Sequence, residues 1–420
     1  MSDTVPGAAL EDAAFPRHTL WGQRRALGLV SLSTILTLSV WFSTNAIRPA
    51  LETAKGFTTE DLAWLTVGVQ LGFVFGTLVS SALNLADIFN ARRLYAVSAV
   101  LAALCNLSVI PLDGYWSVLV MRFATGAFLA GVYPPAMKIL SGWFQQGRGL
   151  ALGTMIGALT LGSGSPHLLK SLFVDSWQST IIGSTALAIA GGLLLPLAVA
   201  DGPYESKAGR FDPRSLLIVF RQRALRLTLI GYLGHMWELY AMWAWIGAYF
   251  LAVFDARPLV GDSLELASVL AFAVFVAGAA GSVLGGIASD RYGRTMATIV
   301  SMVLSGAMAF VIGFLPFDWT TAIFIVALVW GASVIADSGQ FSTATTELCD
   351  PSYRGTVLTF QTGLGFALTA ISIKLVPVLE AASGWGVAFA VLGIGPVVGT
   401  LAMMRLRSLP EAHELANGRR

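Results

Sequence analysis

Twelve apolar runs of about 20 residues divide this 420-residue chain and constrain its fold more than any other feature. An α-helix rises about 1.5 Å per residue, so a run of this length crosses a hydrocarbon core roughly 30 Å thick. Only 12% of the residues are charged, whereas soluble domains carry about a quarter. The chain is therefore predicted to be an all-α integral membrane protein with twelve transmembrane helices. The runs lie near residues 26–46, 62–85, 94–112, 116–140, 149–169, 179–200, 227–251, 266–288, 296–316, 320–343, 356–378 and 386–404.

Basic residues are distributed unevenly between alternate loops of this arrangement. All but six of the 26 lysines and arginines lie on the side of the N-terminal tail. The exceptions are Arg48, Lys55, Lys170 and Arg257 on the other side, and Arg122 and Lys374 within spans. Because cytoplasmic loops carry the excess of Lys and Arg, both termini are predicted to be cytoplasmic. The chain is then a multi-pass protein of the plasma (inner) membrane with cytoplasmic tails at 1–25 and 405–420.

An internal repeat divides the spans into two sets of six. Asp290, after the eighth span, lies 203 residues beyond Asp87, which follows the second. Arg354 opens the eleventh span and lies 206 residues beyond Arg148, which opens the fifth. The polar stretch between the two sets contains two prolines and no long apolar run. The predicted domains are a six-helix unit at 26–200, a cytoplasmic linker at 201–226 and a second six-helix unit at 227–404.

The loop after the eighth span contains Gly286, Asp290, Arg291, Gly293 and Arg294 in the pattern Gly-x-x-x-Asp-Arg-x-Gly-Arg. This pattern resembles the signature of the major facilitator superfamily, which follows the second helix of each half. The first-half copy keeps Asp87, Arg92 and Arg93 but lacks both glycines. In that family, the Asp of this loop faces the N-terminus of a helix in the other half and helps to hold one conformational state. The resemblance implies that these residues, with Arg148 and Arg354, form a conformational latch.

The resemblance also implies an architecture, namely two pseudo-symmetric six-helix bundles around a central cavity that opens alternately to each side. Arg122 and Gly126 in the fourth span fit the Arg-x-x-x-Gly pattern of some proton-coupled members. The fifth span departs from the Gly-Pro motif typical of drug antiporters, because Gly162 to His167 read Gly-Ser-Gly-Ser-Pro-His. This departure weighs against a multidrug exporter.

An ionisable side chain in the middle of a span is costly, so each one is a candidate for function. Glu238 lies near the middle of the seventh span and shares a helical face with His235, Met242 and Trp245. This face is predicted to form a cavity wall, on which the carboxyl and the imidazole load and release a proton. The alternative is a structural hydrogen bond from Glu238 to a neighbouring helix.

The tenth and eleventh spans also carry polar candidates for the substrate or proton pathway. Asp337 lies in the inner half of the tenth span, and Gln340 follows one turn later. Lys374 lies in the outer part of the eleventh span, where it pairs with an acidic residue, contacts an anionic substrate or extends to the membrane interface. These three options remain open from the sequence.

The first span corresponds to the seventh in the repeat and carries polar residues at helical spacing. Thr34, Trp41 and Asn45 are predicted to form the cavity wall opposite Glu238. Threonine is equally common where membrane helices pack, so packing is the alternative. Aromatic residues of the seventh span are similarly ambiguous between substrate stacking and packing: Trp237, Tyr240, Trp243 and Trp245.

The chain has no pattern typical of an enzyme, because a nucleophile elbow, a phosphate loop and a metal-spaced His/Cys set are all missing from the sequence. We predict a secondary transporter of a small organic or anionic solute, coupled to protons and needing no cofactor. Proton-linked efflux of amphipathic compounds is the alternative within transport, and a non-transporting membrane sensor is the alternative of another class. The predicted partners are the solute, protons and the lipid bilayer, with no nucleic acid, and the protein is predicted to be a monomer.

Overall fold

The computed structural model describes residues 17–83, 85–144, 148–204, 216–256, 263–350 and 354–419, with side chains from residue 21 onwards except at 86–87, 148–149 and 216–217. Helices occupy all twelve of the predicted runs, which confirms the all-α, twelve-helix fold. By length and composition alone, eight helical stretches in these ranges are able to cross a membrane. One of the eight, Arg354–Arg407, is 54 residues long and contains both of the last two spans.

The first half contains six spans. The first is Arg17–Thr37 continued by Leu38–Val40 and Ser43–Ala46, the second is Thr59–Ala82, the third is Ala91–Leu107, the fourth is Tyr115–Leu129 and Tyr133–Ser141, the fifth is Arg148–Leu172, and the sixth is Trp177–Ala198. Short helices at Arg48–Lys55 and Leu85–Ile88 flank the second span. The first helix begins well before residue 26, so part of the predicted N-terminal tail is helical.

The second half repeats this plan. The seventh span is Arg223–Asp255, the eighth is Ser263–Tyr292, the ninth is Arg294–Ile312, the tenth is Thr320–Ala336 and Ser338–Leu348, and the last two share Arg354–Leu392 and Ile394–Arg407. Gly384, with φ of 78°, makes the turn between the eleventh and twelfth spans. The predicted linker is partly helical at Leu216–Arg221, and residues 205–215 lie outside the described ranges.

Three spans are interrupted near their middle. The first passes through the 3-10 turn Leu38–Val40, the fourth breaks after Leu129, and the tenth breaks at Asp337. The fourth and tenth spans occupy equivalent places in the two halves, so their breaks follow the repeat. Irregular backbone at this depth is tolerated only where protein or a cavity satisfies its polar groups. The breaks are therefore candidate positions for a substrate or proton site.

Glycines allow two helices to pack closely at equivalent positions in each half. A Cβ added at Gly72 in the second span would lie 1.9 Å from the carbonyl oxygen of Phe123 in the fourth. A Cβ added at Gly281 in the eighth span would lie 1.9 Å from the carbonyl oxygen of Ala332 in the tenth. Small residues at such crossings allow two backbones to pack directly. Between the halves, the fifth span packs against the eighth and the second against the eleventh.

Candidate functional site

The two halves contact each other at both ends of the bundle. We call the end where the first span begins and the twelfth ends the proximal end, and the opposite end the distal end. At the proximal end, the hydroxyl of Ser282 donates to the carbonyl oxygen of Gly153 at 3.0 Å. The hydroxyls of Ser81 and Thr359 lie 3.5 Å apart at the same end. These contacts join the fifth span to the eighth and the second to the eleventh.

Charged and aromatic side chains join the halves at the distal end. Nζ of Lys374 lies 2.6 Å from Oε1 of Glu60 and 4.7 Å from the centre of the Trp64 ring. The guanidinium carbon of Arg48 lies 3.9 Å from the centre of the Trp245 ring, and both side chains are buried. A cation over an aromatic face is stabilised by about 0.5–2 kcal/mol. Of the three options for Lys374, the structure has the pairing with an acidic residue.

Removing either charge of the Lys374–Glu60 pair is expected to open the distal end. The Glu60 side chain is 73% exposed, and ion pairs of this kind contribute about 0.2–1 kcal/mol. Lys374→Gln or Glu60→Gln should therefore raise the ratio of open to closed molecules by up to about fivefold. Spin-label distances between exposed distal positions of the two halves would measure this ratio. Exchanging the charges in the double variant Glu60→Lys, Lys374→Glu should restore closure, whereas unchanged distances in both single variants would contradict a gating role.

Aromatic rings fill the centre of the interface between the halves. Phe73 of the second span lies 4.7 Å from Phe366 of the eleventh, measured between ring centres. Trp41 lies 6.0 Å from Tyr240 in the same measure. We call the following buried residues the central aromatic cluster: Trp41, Phe42 and Phe73 from the first half, and Tyr240, Trp243, Phe275 and Phe366 from the second.

Several polar atoms in or beside this cluster have no hydrogen-bond partner. The indole nitrogens of Trp41 and Trp243 are buried donors without an acceptor among the described residues. Both amide atoms of Gln70, one turn before Phe73, are likewise unpaired and the side chain is fully buried. An unpaired buried polar group costs about 1–3 kcal/mol. The centre of the interface thus combines flat apolar surfaces with free hydrogen-bonding groups.

Arg122 holds the break in the first span. Its Nη1 donates to the carbonyl oxygen of Val40 at 3.1 Å, and its Nη2 donates to that of Trp41 at 2.6 Å. Nη1 also reaches the hydroxyl of Ser43 at 3.2 Å and Oδ1 of Asn106 at 3.0 Å. The side chain is fully buried. Arg122 therefore satisfies the carbonyls that the break leaves without helical partners, and it orients the part of the first span that carries Trp41.

Glu238 lies inside the second half, where two neighbouring helices donate to its carboxylate. The indole Nε1 of Trp330 in the tenth span donates to Oε1 at 2.7 Å. The hydroxyl of Ser305 in the ninth span donates to Oε2 at 2.8 Å and also lies 3.3 Å from the carbonyl oxygen of Met302. Because this hydroxyl has a second acceptor, it can turn away and accept a hydrogen bond from a protonated carboxyl. The contacts match the structural alternative from the sequence and also permit a proton to bind.

His235 and Asp337 form a buried pair at the break in the tenth span. Nδ1 of His235 lies 2.8 Å from Oδ1 of Asp337, and the two side chains are 1% and 2% exposed. Nε2 of His235 and Oδ1 of Asp337 both lack a hydrogen bond of good geometry among the described residues, so the pair is a short charged contact, and the imidazole packs against Phe341 at 5.7 Å. Asp337 is the residue that separates the two helices of the tenth span. A change in its charge therefore acts at the break between these two helices.

Arg294 is the centre of a charged network in the signature loop. Its Nη1 donates to Oδ1 of Asp290 at 2.7 Å, to Oγ of Ser289 at 2.8 Å and to Oε1 of Gln340 at 3.3 Å. Its Nη2 donates to Oε1 of Glu347 at 3.2 Å. Gln340, predicted for the substrate or proton pathway, thus lies in this network. The network ties the loop to Ser338–Leu348, the proximal helix of the tenth span.

The C-terminal segment packs on the same network. The other carboxylate oxygen of Glu347 accepts from the backbone N–H of Ala416 at 3.1 Å. The guanidinium of Arg419 donates to the carbonyl oxygen of Asp290, and Leu415 is fully buried. The predicted tail 405–420 is therefore docked against the proximal face of the second half over its described part.

Replacing Asp290 by asparagine is expected to impair transport more than the same change at Asp87. Asp290 accepts from Arg294 inside the better-preserved loop, while the degraded first-half loop should stabilise its own conformational state less. The side chain of Asp87 lies outside the described residues. Initial rates in matched proteoliposomes would measure the difference. Equal losses in Asp290→Asn and Asp87→Asn would contradict the prediction.

The remaining predicted residues lie at separate places. Thr34 donates to its own helix at the carbonyl oxygen of Val30, and Met242 is fully buried. Asn45 belongs to the distal contacts, because its Nδ2 donates to the carbonyl oxygen of Ala244 at 3.3 Å. The other residues predicted to form the conformational latch make local contacts. Arg92 forms an ion pair with Asp201, and the backbone N–H of Arg93 donates to the side chain of Asn90. Arg291 packs over the ring of Tyr292, Arg354 donates to the carbonyl oxygen of Cys349, and the side chain of Arg148 lies outside the described residues.

Five members of the interface were missed in the sequence, including Phe275 of the eighth span. Phe42, Phe73, Gln70, Phe275 and Phe366 lie in apolar runs, where a phenylalanine looks like any lipid-facing or core residue. Gln70 offered the clearest signal, because an uncharged amide in the middle of an apolar span requires a partner. The phenylalanines offered none, since only the packing of the two halves brings their rings together.

Comparisons with known proteins find transporters that are similar in sequence and in fold. In sequence, the chain is 25% identical over 253 residues to the MFS-type transporter pytF of Aspergillus terreus, covering 57% of this chain and 79% of that protein. It is 26% identical over 241 residues to the probable actinorhodin transporter of Streptomyces coelicolor, covering 51% of this chain and 39% of that protein. In structure, it resembles the proton:xylose symporter XylE with a TM-score of 0.69 at 14% identity, covering 92% of this chain and 96% of that one.

A family model provides the assignment. The model for the Major Facilitator Superfamily matches residues 30–373, which include the central aromatic cluster, the signature loop and all but the last of the spans. The structural likeness to XylE covers nearly the whole of both chains and fixes the fold. These findings indicate a transport protein that crosses the membrane many times and is not an enzyme. The chain belongs to the major facilitator superfamily.

Proposed function

We propose that this transporter moves an amphipathic organic solute that has a planar ring and hydrogen-bond acceptors, and that it couples this movement to protons. The central aromatic cluster is the observation that carries the proposal. Its rings belong to both halves, so a solute stacked between them would contact each half and would be released when the halves separate. The free indole N–H groups of Trp41 and Trp243 would donate to the solute's acceptors.

The contacts of two buried arginines and of the partly buried Lys374 weigh against an anionic solute, which the sequence left open. Arg122 already donates to four oxygen atoms. Lys374 is paired with Glu60, and Arg48 is stacked on Trp245. Apart from the enclosed Nε of Arg122, which has no partner among the described residues, an anion would have to compete with these contacts for a cation. The name of one relative, a probable actinorhodin transporter, is consistent with an organic solute.

The His235–Asp337 pair is the preferred proton site. Protonation of Asp337 removes the negative charge that faces Nδ1 of His235 at 2.8 Å. The pair lies at the hinge of Ser338–Leu348, which contacts the fifth span of the other half and reaches Arg294 through Gln340. A proton at Asp337 would therefore loosen a helix that joins the halves at the proximal end. The proposed proton site is therefore the pair that contains His235, one turn from Glu238, whereas the sequence favoured Glu238 itself.

The excess of basic residues at the proximal end supports cytoplasmic termini and the inner membrane. In that orientation, the distal contacts face the outside. A protonated pair would then release the cytoplasmic side, and proton movement inwards would drive the cycle. We further propose that the monomer is the working unit, because each half supplies rings to one shared cluster.

Transport by the purified protein in proteoliposomes tests this proposal. A panel of planar aromatic compounds that are neutral, cationic or anionic would be assayed with and without a pH gradient. The neutral or cationic amphipathic compounds should be transported, and the gradient should raise the initial rate. Glu238→Gln should retain some gradient dependence if the pair carries the proton. Transport that is independent of the gradient in the wild type would exclude proton coupling.

Two phenylalanines in the second half provide a matched test of the cluster. Phe366→Ala removes a ring of the cluster, whereas Phe389→Ala removes an equally buried ring that packs on Trp330 and Tyr249 instead. Both changes leave cavities and cost about 3–5 kcal/mol of stability. Only Phe366→Ala should weaken binding of the transported compound, measured by thermal shift. Equal weakening in the two variants would argue against a binding role for the cluster.

A further inference from the structure

A cavity of about 340 Å³ lies at the proximal end of the first half, away from the central aromatic cluster. Its volume falls in the range of about 300–1,000 Å³ typical of sites for small ligands. The first, third and sixth spans and the end of the fourth form its walls. The lining residues are Trp21, Gly22, Arg25, Ala26, Leu29, Arg92, Trp143 and the segment from Pro196 to Ala200.

The walls of this cavity are fixed by hydrogen bonds. Nε1 of Trp143 donates to the carbonyl oxygen of Ala200 at 3.1 Å, and Nη1 of Arg92 donates to that of Val199 at 2.9 Å. Gln23 donates to the backbone of Trp143 at 2.8 Å, which ties the first span to the same wall. The cavity is therefore part of the folded architecture and not a gap at a loose surface.

The lining has the chemistry of an anion site. Among the described residues, the lining contains two arginines and no carboxylate, and the nearest carboxylate shown is Asp201, which pairs with Arg92. Nε of Arg92 is buried and has no hydrogen-bond partner among the described residues, although the other nitrogens of this guanidinium are bound to Val199 and Asp201. The guanidinium carbon of Arg25 lies 5.4 Å from the ring centre of Trp21, on the exposed side of the cavity. Arg92 is paired with Asp201 at 2.6 Å and its Nε is enclosed, so Arg25 would supply most of the attraction for an anion held there and Arg92 would add to it.

The rim of the cavity is apolar and faces outward. Leu197, one of the lining residues, is 84% exposed, and Trp21 is 65% exposed. In a membrane protein, exposed leucines face acyl chains, and tryptophan and arginine are typical of the headgroup level. We propose that this cavity binds an anionic membrane phospholipid, with its phosphate at Arg25 and Arg92 and one acyl chain along Leu197. Basic pockets between spans at the headgroup level hold lipids in this manner.

Binding of defined lipids to the purified full-length protein tests the proposal. Phosphatidylglycerol, phosphatidylcholine with the same acyl chains, and inorganic phosphate would be added separately to detergent-solubilised protein. Affinity and melting temperature would be measured. Phosphatidylglycerol should bind most tightly and raise the melting temperature. Arg25→Gln should weaken its binding about fivefold, as expected for one arginine at the headgroup level.

Two further variants separate a site from general surface attraction. Ala200→Trp fills the cavity from its exposed edge without changing the charge, and it should abolish the preference for phosphatidylglycerol. Arg93→Gln removes a neighbouring exposed cation outside the cavity and should have the smaller effect. The proposal is overturned if Arg93→Gln weakens binding as much as Arg25→Gln while Ala200→Trp has no effect. It is also overturned if phosphatidylcholine or inorganic phosphate stabilises the wild type as much as phosphatidylglycerol does.

Discussion

Arg122→Ala is expected to lower the stability of the protein substantially and to abolish transport. The change removes the only side-chain donor of the carbonyl oxygen of Trp41 among the described residues, and it leaves that of Val40 with Ser43 Oγ alone, at 3.2 Å. The buried carbonyl of Trp41, left unpaired, costs about 1–3 kcal/mol. The break would then relax or collapse, and Trp41 would leave its position beside Tyr240 in the central aromatic cluster. Thermal unfolding of the purified protein measures the first effect, and proteoliposome transport measures the second.

Graded variants distinguish support of the break from a direct role in proton movement. Arg122→Lys keeps the charge but presents a single donor group, so it should lie between wild type and Arg122→Ala in stability. Ser43→Ala removes one of the four contacts and should cost about 1 kcal/mol. If Arg122 supports the break, substrate affinity should fall in the same order as stability. A stable Arg122→Ala protein that binds substrate normally but ignores the pH gradient would instead place Arg122 on the proton path, as the family pattern implies.

The twelve spans could be predicted because membrane insertion is governed by the local apolar content of the chain. The transfer free energy of each run of about 20 residues depends on the composition of that run, and only weakly on the rest of the chain. The signature loop could also be predicted from local composition, because Asp290, Gly293 and Arg294 are polar or turn-forming residues between apolar runs. The turn at Gly384 likewise falls between the two last runs.

The break in the first span could not be predicted in this way. Residues 38–45 contain no glycine or proline, so nothing local indicates that the helix stops. The cause lies in the fourth span, from which Arg122 donates to the backbone at the break. A contact of this kind depends on the packing of distant segments and leaves no periodic pattern in either one.

The partners of the ionisable residues could not be predicted either, because they also lie on distant segments of the chain. Glu238 was identifiable as a buried carboxyl, but its donors Ser305 and Trp330 belong to other spans. His235 was placed on the same predicted face as Glu238, yet one turn of helix is enough to aim it at Asp337 instead. The sequence therefore indicated which side chains are costly to bury, and the fold determined which of them meet.

A short path of contacts links the proposed proton site to the signature loop. His235 faces Asp337, and the backbone N–H of Gln340 donates to the carbonyl oxygen of Asp337 at 2.9 Å. The side chain of Gln340 then accepts from Arg294, which also holds Asp290. Loss of the charge at Asp337 would act on the first of these contacts.

Asp337→Asn is expected to uncouple transport from the pH gradient while leaving the protein folded. The asparagine has the same shape, and its amide oxygen can occupy the place of Oδ1, 2.8 Å from Nδ1 of His235. It cannot bind and release a proton, so gradient-driven accumulation should fall at least about tenfold, corresponding to about 1.4 kcal/mol or more of lost coupling free energy. Solute exchange at equal pH on both sides needs no net proton movement and should persist. The two assays on the same vesicles separate loss of coupling from loss of binding.

Glu238→Gln is the matched comparison, because it makes the same chemical change one turn from His235 and keeps the acceptor for Trp330. Its amide can donate to Oγ of Ser305, whose hydroxyl then turns to the carbonyl oxygen of Met302. If the His235–Asp337 pair carries the proton, Glu238→Gln should retain accumulation within about threefold of wild type, a difference of less than 1 kcal/mol. The reverse result, with accumulation lost in Glu238→Gln and kept in Asp337→Asn, would assign the proton to Glu238. The hinge of the tenth span would then follow the transport cycle without driving it.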